Sequence, residues 1–166
     1  MINLKVDFWK NSMDIQAYFA DNNTGKYHDL PMTFDTGAYM TSIDSYALLR
    51  AGYNIKSGNA AVINTVGHNG VPAREILLRG FKLEDVSGFR VLLGPVLVYA
   101  IDMSDTFTAG VLGVNVIREF ESRIKFGNPT LIELKPEYDI TETEKFENFN
   151  RYNSRFGLWT KNQVEK

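Results

Sequence analysis

The sequence contains no cysteine among its 166 residues. This absence excludes cysteine nucleophiles, thiolate metal sites and disulfide bonds together. The chain also lacks an excess of positive charge, since 18 Lys and Arg residues stand against 20 Asp and Glu residues. Without a basic field or a cationic groove, nucleic acid is not an expected partner.

Long hydrophobic runs are missing as well. The longest apolar stretch, from Val91 to Ile101, is interrupted by Gly94 and Pro95 and is shorter than a membrane-spanning helix. The first residues contain no apolar segment of signal-peptide length. We therefore expect a cytoplasmic protein with no membrane partner.

The residues that are present favour β-structure. Apolar and polar residues alternate from Ile2 to Phe8, from Ile15 to Phe19 and again from Leu30 to Phe34. This period of two is typical of strands with one buried face. With 44% hydrophobic residues, the chain is long enough to bury one core and too short for two full domains.

Two further elements are predicted from local signals. A short helix has Ser42 and Ser45 as candidate N-caps, an apolar side and Gly52 at its C-terminal end. Its apolar side is predicted to consist of Tyr46, Leu48 and Leu49. A hairpin follows, with strands over Ala60–Val66 and Ala73–Leu83 and a turn at Gly67–Gly70.

The turn signal Gly127-Asn128-Pro129 predicts a domain boundary, giving one domain over residues 1–127 and a C-terminal extension over 128–166. Within the extension, Thr141 and Glu144 have capping-box spacing. An aromatic stripe at helical spacing predicts an amphipathic helix there. The stripe consists of Phe146, Phe149, Tyr152 and Phe156.

The strongest candidate for chemistry is Asp35-Thr36-Gly37, which ends the apolar strand Leu30–Phe34. A carboxylate at that position emerges from the edge of a buried strand. Far downstream, Val111-Leu112-Gly113 precedes a second short helical segment. We expect this hydrophobic-hydrophobic-Gly triplet to pack as a ψ-shaped loop beside the Asp35 turn.

In this order, Asp35-Thr36-Gly37-Ala38, the helix ending at Gly52, the glycine-tipped hairpin and Val111-Leu112-Gly113 resemble the retropepsin-like aspartic proteases. The resemblance covers roughly residues 2–127. It implies a mostly β, closed-barrel-like acid protease fold, with one short helix after the Asp-Thr-Gly-Ala loop. It further implies a flap hairpin and a second short helix after the Leu-Gly loop.

The activity that this resemblance implies is aspartic endopeptidase activity on a peptide or protein substrate, with no metal or organic cofactor. Two carboxylates share one proton across a water molecule in such a site. Because the sequence has one Asp-Thr-Gly, Asp35 must meet its symmetry mate in a homodimer. Thr36 and Gly37 complete the implied catalytic loop.

The resemblance also assigns supporting residues. Those implied for substrate binding and the flap are Ala38, Val66, Gly67, His68, Asn69 and Gly70. Those implied to support the catalytic loop from behind are Leu112, Gly113 and Asn115. Two positions depart from the family pattern: Asn115 stands where many cellular relatives have Asp, and Thr33 is polar in an apolar strand.

Other interpretations stay open at this point. Asp-Thr-Gly is ordinary turn chemistry, so Asp35 is also consistent with a simple turn cap in a different all-β domain. A domain of the same fold that serves only as a dimeric binding module is the main functional alternative. Several roles stay open for the aromatic extension: packing on the domain, shielding a sheet edge or adding to a sheet, completing the dimer interface, docking a partner, or covering the cleft.

Overall fold

The computed structural model describes residues 1–65, 68–88, 90–93 and 95–136, and the mostly β architecture expected from the alternation pattern is confirmed there. In chain order the elements are β1 (Ile2–Lys5), β2 (Asp7–Trp9), β3 (Ser12–Ala20), β4 (Tyr27–Phe34), β5 (Ser42–Asp44), α1 (Ser45–Arg50), a 3₁₀ turn (Ile55–Ser57), β6 (Ala60–Thr65), β7 (His68–Leu78), β8 (Phe81–Glu84), β9 (Arg90–Leu92), β10 (Val96–Ile101), β11 (Gly110–Leu112), α2 (Val114–Ile117), β12 (Phe120–Lys125) and β13 (Leu131–Pro136).

The strands form two sheets. The larger follows the order β6-β7-β10-β5-β11-β4-β3-β8-β9, with β2 paired to β3, and the smaller has the order β1-β13-β12. In the part of the chain that is described, β6 and β9 end the larger path without pairing with each other. The barrel-like description therefore applies to the general architecture and not to a closed ring of hydrogen bonds.

The main core lies between these strands and is built from their alternating apolar residues. In β4, Leu30, Met32 and Phe34 are buried, and the strand pairs antiparallel with β3. On β3, Ile15 and Phe19 are buried in the same cluster. Burial of side chains of this size stabilises the fold by about 1.5–3 kcal/mol each, before the loss of chain entropy is counted.

Strand β11 lies between β4 and β5. It runs parallel to β4 and antiparallel to β5. Because β4 and β5 are consecutive strands separated by an inserted third strand, the segment 35–41 must pass around the end of β11. This is the ψ-shaped arrangement that the two separated sequence motifs predict.

Helix α1 begins at a different residue from the predicted N-caps. The carboxylate of Asp44 accepts a hydrogen bond from the Ala47 amide at 3.2 Å, whereas Ser42 lies in β5. The predicted apolar side is also wrong in part, because Leu48 is buried while Tyr46 and Leu49 are exposed. Helix α1 has only six residues, and Leu48 is the one whose side chain is buried.

Gly52 ends this helical region as predicted. It has a φ of 82°, a left-handed conformation that glycine adopts without steric cost. Its amide donates to the Leu49 carbonyl at 3.0 Å. The chain therefore reverses immediately after α1 and returns to the body of the domain.

The predicted hairpin is present, with different bounds. Strand β7 begins at His68, opposite Thr65, so His68, Asn69 and Gly70 lie in the returning strand and not in the predicted turn. The returning strand ends at Leu78, and the residues after Gly80 form β8, which pairs with β3. Gly80 lies between β7 and β8, which the alternation pattern had predicted as a single strand.

The folded body continues past the predicted boundary at Gly127. Strand β13 is the central strand of the smaller sheet and pairs with both β1 and β12. Ile132 and Leu134 of this strand are buried in the main core. Gly127–Pro129 is thus a turn between β12 and β13, and the domain includes residues up to Pro136.

The predicted amphipathic helix lies outside the described residues. Within the described ranges, neither helix has the length and apolar content that crossing a membrane requires.

Candidate active site

The loop that carries Asp35 begins where β4 leaves the core. Phe34 is buried, whereas Asp35, Thr36 and Gly37 are exposed. The Asp35 amide donates to the Leu112 carbonyl at 3.1 Å, and the Gly37 amide donates to Asp35 Oδ1 at 2.8 Å. One carboxylate oxygen is thereby fixed by the loop, which orients the group toward solvent.

Gly113 fills a position that has no room for a side chain. A Cβ atom there would lie 2.4 Å from the Met40 carbonyl carbon and 2.7 Å from the Thr41 nitrogen. These obstructing atoms belong to the backbone, so the clash cannot be relieved by a rotamer change. The close approach lets the Val114 amide donate to the Ala38 carbonyl at 2.8 Å.

Asn115 and Thr41 join the two halves of the site underneath this contact. The Asn115 side-chain oxygen accepts hydrogen bonds from the Thr41 amide at 2.7 Å and the Thr41 hydroxyl at 2.8 Å. The Asn115 side-chain amide donates to the Leu97 carbonyl at 3.1 Å. The Thr41 hydroxyl in turn accepts from the Gly113 amide at 3.0 Å.

Thr41 was not recognised from the sequence, although it is fully buried and makes three of these four bonds. The sequence does contain one indication of this role, because Thr41 is a hydroxyl residue directly before the buried strand β5. Buried polar groups in such a network stabilise a structure when all of them are satisfied.

The polar Thr33, noted in the sequence as a departure, has a local partner. Its hydroxyl donates to Asp14 Oδ1 at 3.0 Å, and the same oxygen accepts from the Ser12 hydroxyl at 3.0 Å. Asp14 is directly opposite Thr33 in the β3–β4 pair. These hydrogen bonds fix the end of β4 at Thr33, two residues before Asp35.

The β6–β7 hairpin and the strand that leads to Gly113 contact the same small apolar cluster of Ala73, Ile101 and Met103. Ile63 and Val71, on facing positions of the hairpin, belong to a small apolar cluster that also includes Val111 of β11. Beyond this cluster, His68, Asn69 and Gly70 are exposed. The predicted flap residues Val66 and Gly67 lie outside the described residues.

A pocket of about 230 Å³ lies among residues that follow the Asp35 loop and the start of α2. Its lining residues are Tyr39, Met40, Glu75, Leu97, Tyr99, Val114, Asn115 and Arg118. Partial burial raises the pKa of Tyr99, and the nearby Glu75 and Tyr39 raise it further. Tyr99 is therefore neutral at physiological pH and can both donate and accept hydrogen bonds in this pocket.

The structure thus joins the predicted residues of the Asp35 loop to the predicted supporting segment through backbone hydrogen bonds. Asp35 is bonded to Leu112, and Ala38 to Val114 next to Gly113. His68, Asn69 and Gly70 are on the hairpin, and no direct bond between them and the Asp35 loop is present among the described residues. Thr36 lies exposed at the surface of one chain.

No family model and no curated protein matches the sequence. Among solved structures, the fold is similar to a retropepsin-like aspartic protease from Rickettsia conorii, with a TM-score of 0.54 and 15% identity over 81% of this chain and 89% of that chain. The retroviral protease-like domain of Ddi1 from Leishmania major has a TM-score of 0.45 and 12% identity, over 78% of this chain and 98% of that domain.

An identity of 15% is informative about architecture and not about chemistry. The ψ-shaped β4-β11-β5 arrangement and the similarity to the Rickettsia structure nevertheless agree with each other. The chain has a retropepsin-like fold.

Proposed function

We propose that this protein is an aspartic endopeptidase that works as a homodimer, with Asp35 of each copy at a shared active site. The observation that carries the proposal is the exposed Asp35 carboxylate on a loop held by Leu112 and by its own Gly37 amide. A carboxylate fixed in this way is preorganised for general acid–base chemistry.

The reaction needs two carboxyl groups, one charged and one protonated. The charged group takes a proton from a water molecule as the water oxygen attacks the peptide carbonyl carbon. The protonated group hydrogen-bonds to the carbonyl oxygen and passes its proton to it. As the resulting tetrahedral diol collapses and the C–N bond breaks, the first carboxyl gives the proton it took from water to the leaving nitrogen. The second carboxylate takes a proton from a diol hydroxyl, which restores one charged and one protonated group.

One chain supplies one such group, since the sequence contains a single Asp-Thr-Gly. Two-fold symmetry places identical residues of two copies opposite each other, so a dimer with the axis near Asp35 provides the second carboxyl. The exposure of Asp35, Thr36 and Gly37 in one chain is consistent with a contact across such an axis.

The hairpin supplies the second part of the proposal. Its residues Ile63 and Val71 pack against the same small apolar cluster as Val111, one residue before Leu112, and His68, Asn69 and Gly70 are exposed. We infer that His68, Asn69 and Gly70 close over a bound peptide and shield the two carboxyl groups and their reacting water from bulk solvent, with Ala38 of the Asp35 loop on the other side of the peptide.

The test is Asp35→Asn in the full chain. A mixture of diverse peptides is incubated with each protein, and cleavage products are identified by mass spectrometry. We expect wild type to produce defined cleavages and Asp35→Asn to lose them by at least a factor of about 10³, since a neutral amide cannot act as the base.

The matched control is Asp29→Asn, the same chemical change at an exposed position earlier in β4. It should keep full activity, and both variants should melt within a few degrees of wild type. Cleavage that persists in Asp35→Asn would contradict the mechanism. No cleavage by wild type, together with a stable dimer, would favour a dimeric binding module with this fold.

A further inference from the structure

The pocket bounded by β7, β10 and the start of α2 has the size and the walls to enclose one large side chain. Its volume of about 230 Å³ is below the roughly 300–1,000 Å³ of sites that enclose a whole small-molecule ligand. Met40, Leu97 and Val114 line it together with the rings of Tyr39 and Tyr99. Thioether, aliphatic and aromatic groups of this kind pack favourably against an aromatic ring.

The polar side chains of the pocket differ in what they still require. The buried Asn115 side chain has partners within the domain, because its oxygen accepts from Thr41 and its amide donates to the Leu97 carbonyl. Glu75 is half-buried and Arg118 is exposed, and they carry opposite charges. An apolar side chain can therefore enter the pocket without depriving a buried polar group of its partner.

The two charged side chains at the rim each have one contact and can take another. Arg118 Nε lies 3.4 Å from Glu119 Oε1, and Glu75 Oε2 accepts from the Asn59 side-chain amide at 3.1 Å. A guanidinium has five N–H donors, and a carboxylate has a second oxygen. Charged residues on either side of a bound side chain can therefore pair with this rim.

The last described residue, Pro136, lies near the pocket. Strand β13 runs antiparallel to β12, and Pro136 is opposite Phe120. Phe120 follows Arg118 by two residues, so one strand spacing and two residue lengths put the Cα atoms of Pro136 and Arg118 within about 12 Å of each other. Because β12 starts just after α2, the chain leaves β13 at the end of the sheet nearest α2, which lines the pocket.

The residues beyond Pro136 can reach the pocket and carry side chains that fit it. An extended chain covers about 3.3–3.6 Å per residue, so about four residues suffice to span that distance. The aromatic residues of the extension are Phe146, Phe149, Tyr152 and Phe156. Phe149 has an acidic residue, Glu147, two positions before it and a basic residue, Arg151, two positions after it.

We propose that residues 147–151 dock in this pocket of their own chain, with the ring of Phe149 inside it. Glu147 then pairs with Arg118, and Arg151 pairs with Glu75. The pocket supplies apolar walls for the ring and one charge of each sign at the rim, and this short segment supplies the complement of each.

Docking affects the candidate site because the pocket and the site share a backbone segment. Tyr39 and Met40 line the pocket, and Gly113 packs closely against the Met40 backbone. A ring held in the pocket therefore adds apolar contacts to the segment that follows the Asp35 loop. The inference does not depend on the proposed function, since it requires neither cleavage nor a second copy.

The test is hydrogen exchange of the full chain, followed by mass spectrometry of the peptides that cover residues 146–152. In wild type we expect these amides to exchange at least about 10-fold more slowly than in an unstructured peptide of the same sequence. Phe149→Ala should remove this protection, because the buried ring anchors the segment. Phe146→Ala, the same change at a neighbouring aromatic residue, is the matched control and should keep it.

A charge exchange between the pocket and the segment tests the assigned partners. Arg118→Glu and Glu147→Arg should each reduce the protection about 3-fold to 10-fold, since each places like charges together. The double variant should recover most of the protection, which a general loss of stability would not allow. Arg123→Glu, the same reversal at an exposed residue of β12, should leave exchange unchanged.

Wild-type exchange at the rate of the unstructured peptide would overturn the proposal, as would protection that both single charge variants leave intact. Protection that Phe146→Ala removes and Phe149→Ala keeps would contradict the assignment of Phe149. Protection that grows with protein concentration would show docking on a second copy, which also contradicts the proposal.

Discussion

The floor of the candidate site and the β6–β7 hairpin are constrained in opposite ways. In the floor, Thr41, Gly113 and Asn115 are buried and joined by side-chain hydrogen bonds. In the hairpin, most residues from Ala60 to Gly70 are exposed, and the pairing of the strands becomes irregular between Ile63 and Thr65. The floor is fixed by contacts between distant parts of the chain, whereas the hairpin is fixed mainly by its own strand pairing.

This difference suits a site that must keep a carboxylate in a fixed position and also bind a peptide substrate. Buried and satisfied polar networks resist displacement, since any shift leaves a polar group without a partner. Exposed hairpins with few buried contacts open at low cost in free energy. We therefore expect substitutions in the floor to reduce stability and substitutions in the outer hairpin to alter substrate binding.

The largest effect is expected from Asn115→Ala. This change leaves the buried Thr41 amide and the Leu97 carbonyl without their partner, and each such loss costs about 1–3 kcal/mol. The free energy of unfolding should fall by about 2–4 kcal/mol in urea denaturation. Thr41→Ser, which keeps the amide and the hydroxyl that donate to Asn115, should cost less; equal losses in the two variants would contradict the role assigned to these hydrogen bonds.

A smaller difference in stability is expected when the same substitution, Gly to Ala, is made at Gly113 and at Gly70. Gly113→Ala places a Cβ against the Met40 backbone at 2.4 Å and should cost about 3 kcal/mol, as overpacking does. Gly70→Ala meets no atom within 4 Å, and its cost of about 1 kcal/mol comes from the φ of 70° alone.

The two glycine variants are compared by urea denaturation and by the KM of a cleaved peptide. Gly113→Ala should lower the denaturation midpoint, and Gly70→Ala should mainly raise KM. If Gly70→Ala were the more destabilising of the two, the distinction between a fixed floor and an openable hairpin would be wrong.

The sequence was most informative where one residue had to satisfy a strong local constraint. Glycine at position 113 and Asp-Thr-Gly at the end of an apolar strand predicted a ψ-shaped loop, and the structure places Asp35 in hydrogen-bond contact with Leu112. The catalytic role of Asp35 stays a prediction. Thr41 was missed because its importance depends on Asn115 and Gly113, which are distant along the chain.

Local signals also could not show whether a turn ends the domain or connects two paired strands. Gly127, Asn128 and Pro129 indicate a reversal equally well at the end of a domain and inside a hairpin. Pairing of β13 with β1, at the opposite end of the described chain, decides between them. Long-range pairing of this kind has no local signature, and the same reason explains why β7 and β8 were predicted as one strand.

The central claim is that two copies of Asp35 form one active site, and the most direct measurement is cleavage activity per chain across a protein dilution series. Activity per chain should fall in proportion to the dimer fraction measured at the same concentrations. An excess of Asp35→Asn protein should also suppress wild-type activity by forming dimers with a single carboxyl group. Activity per chain that stays constant into the monomer range, or that the inactive protein leaves unchanged, would contradict the claim.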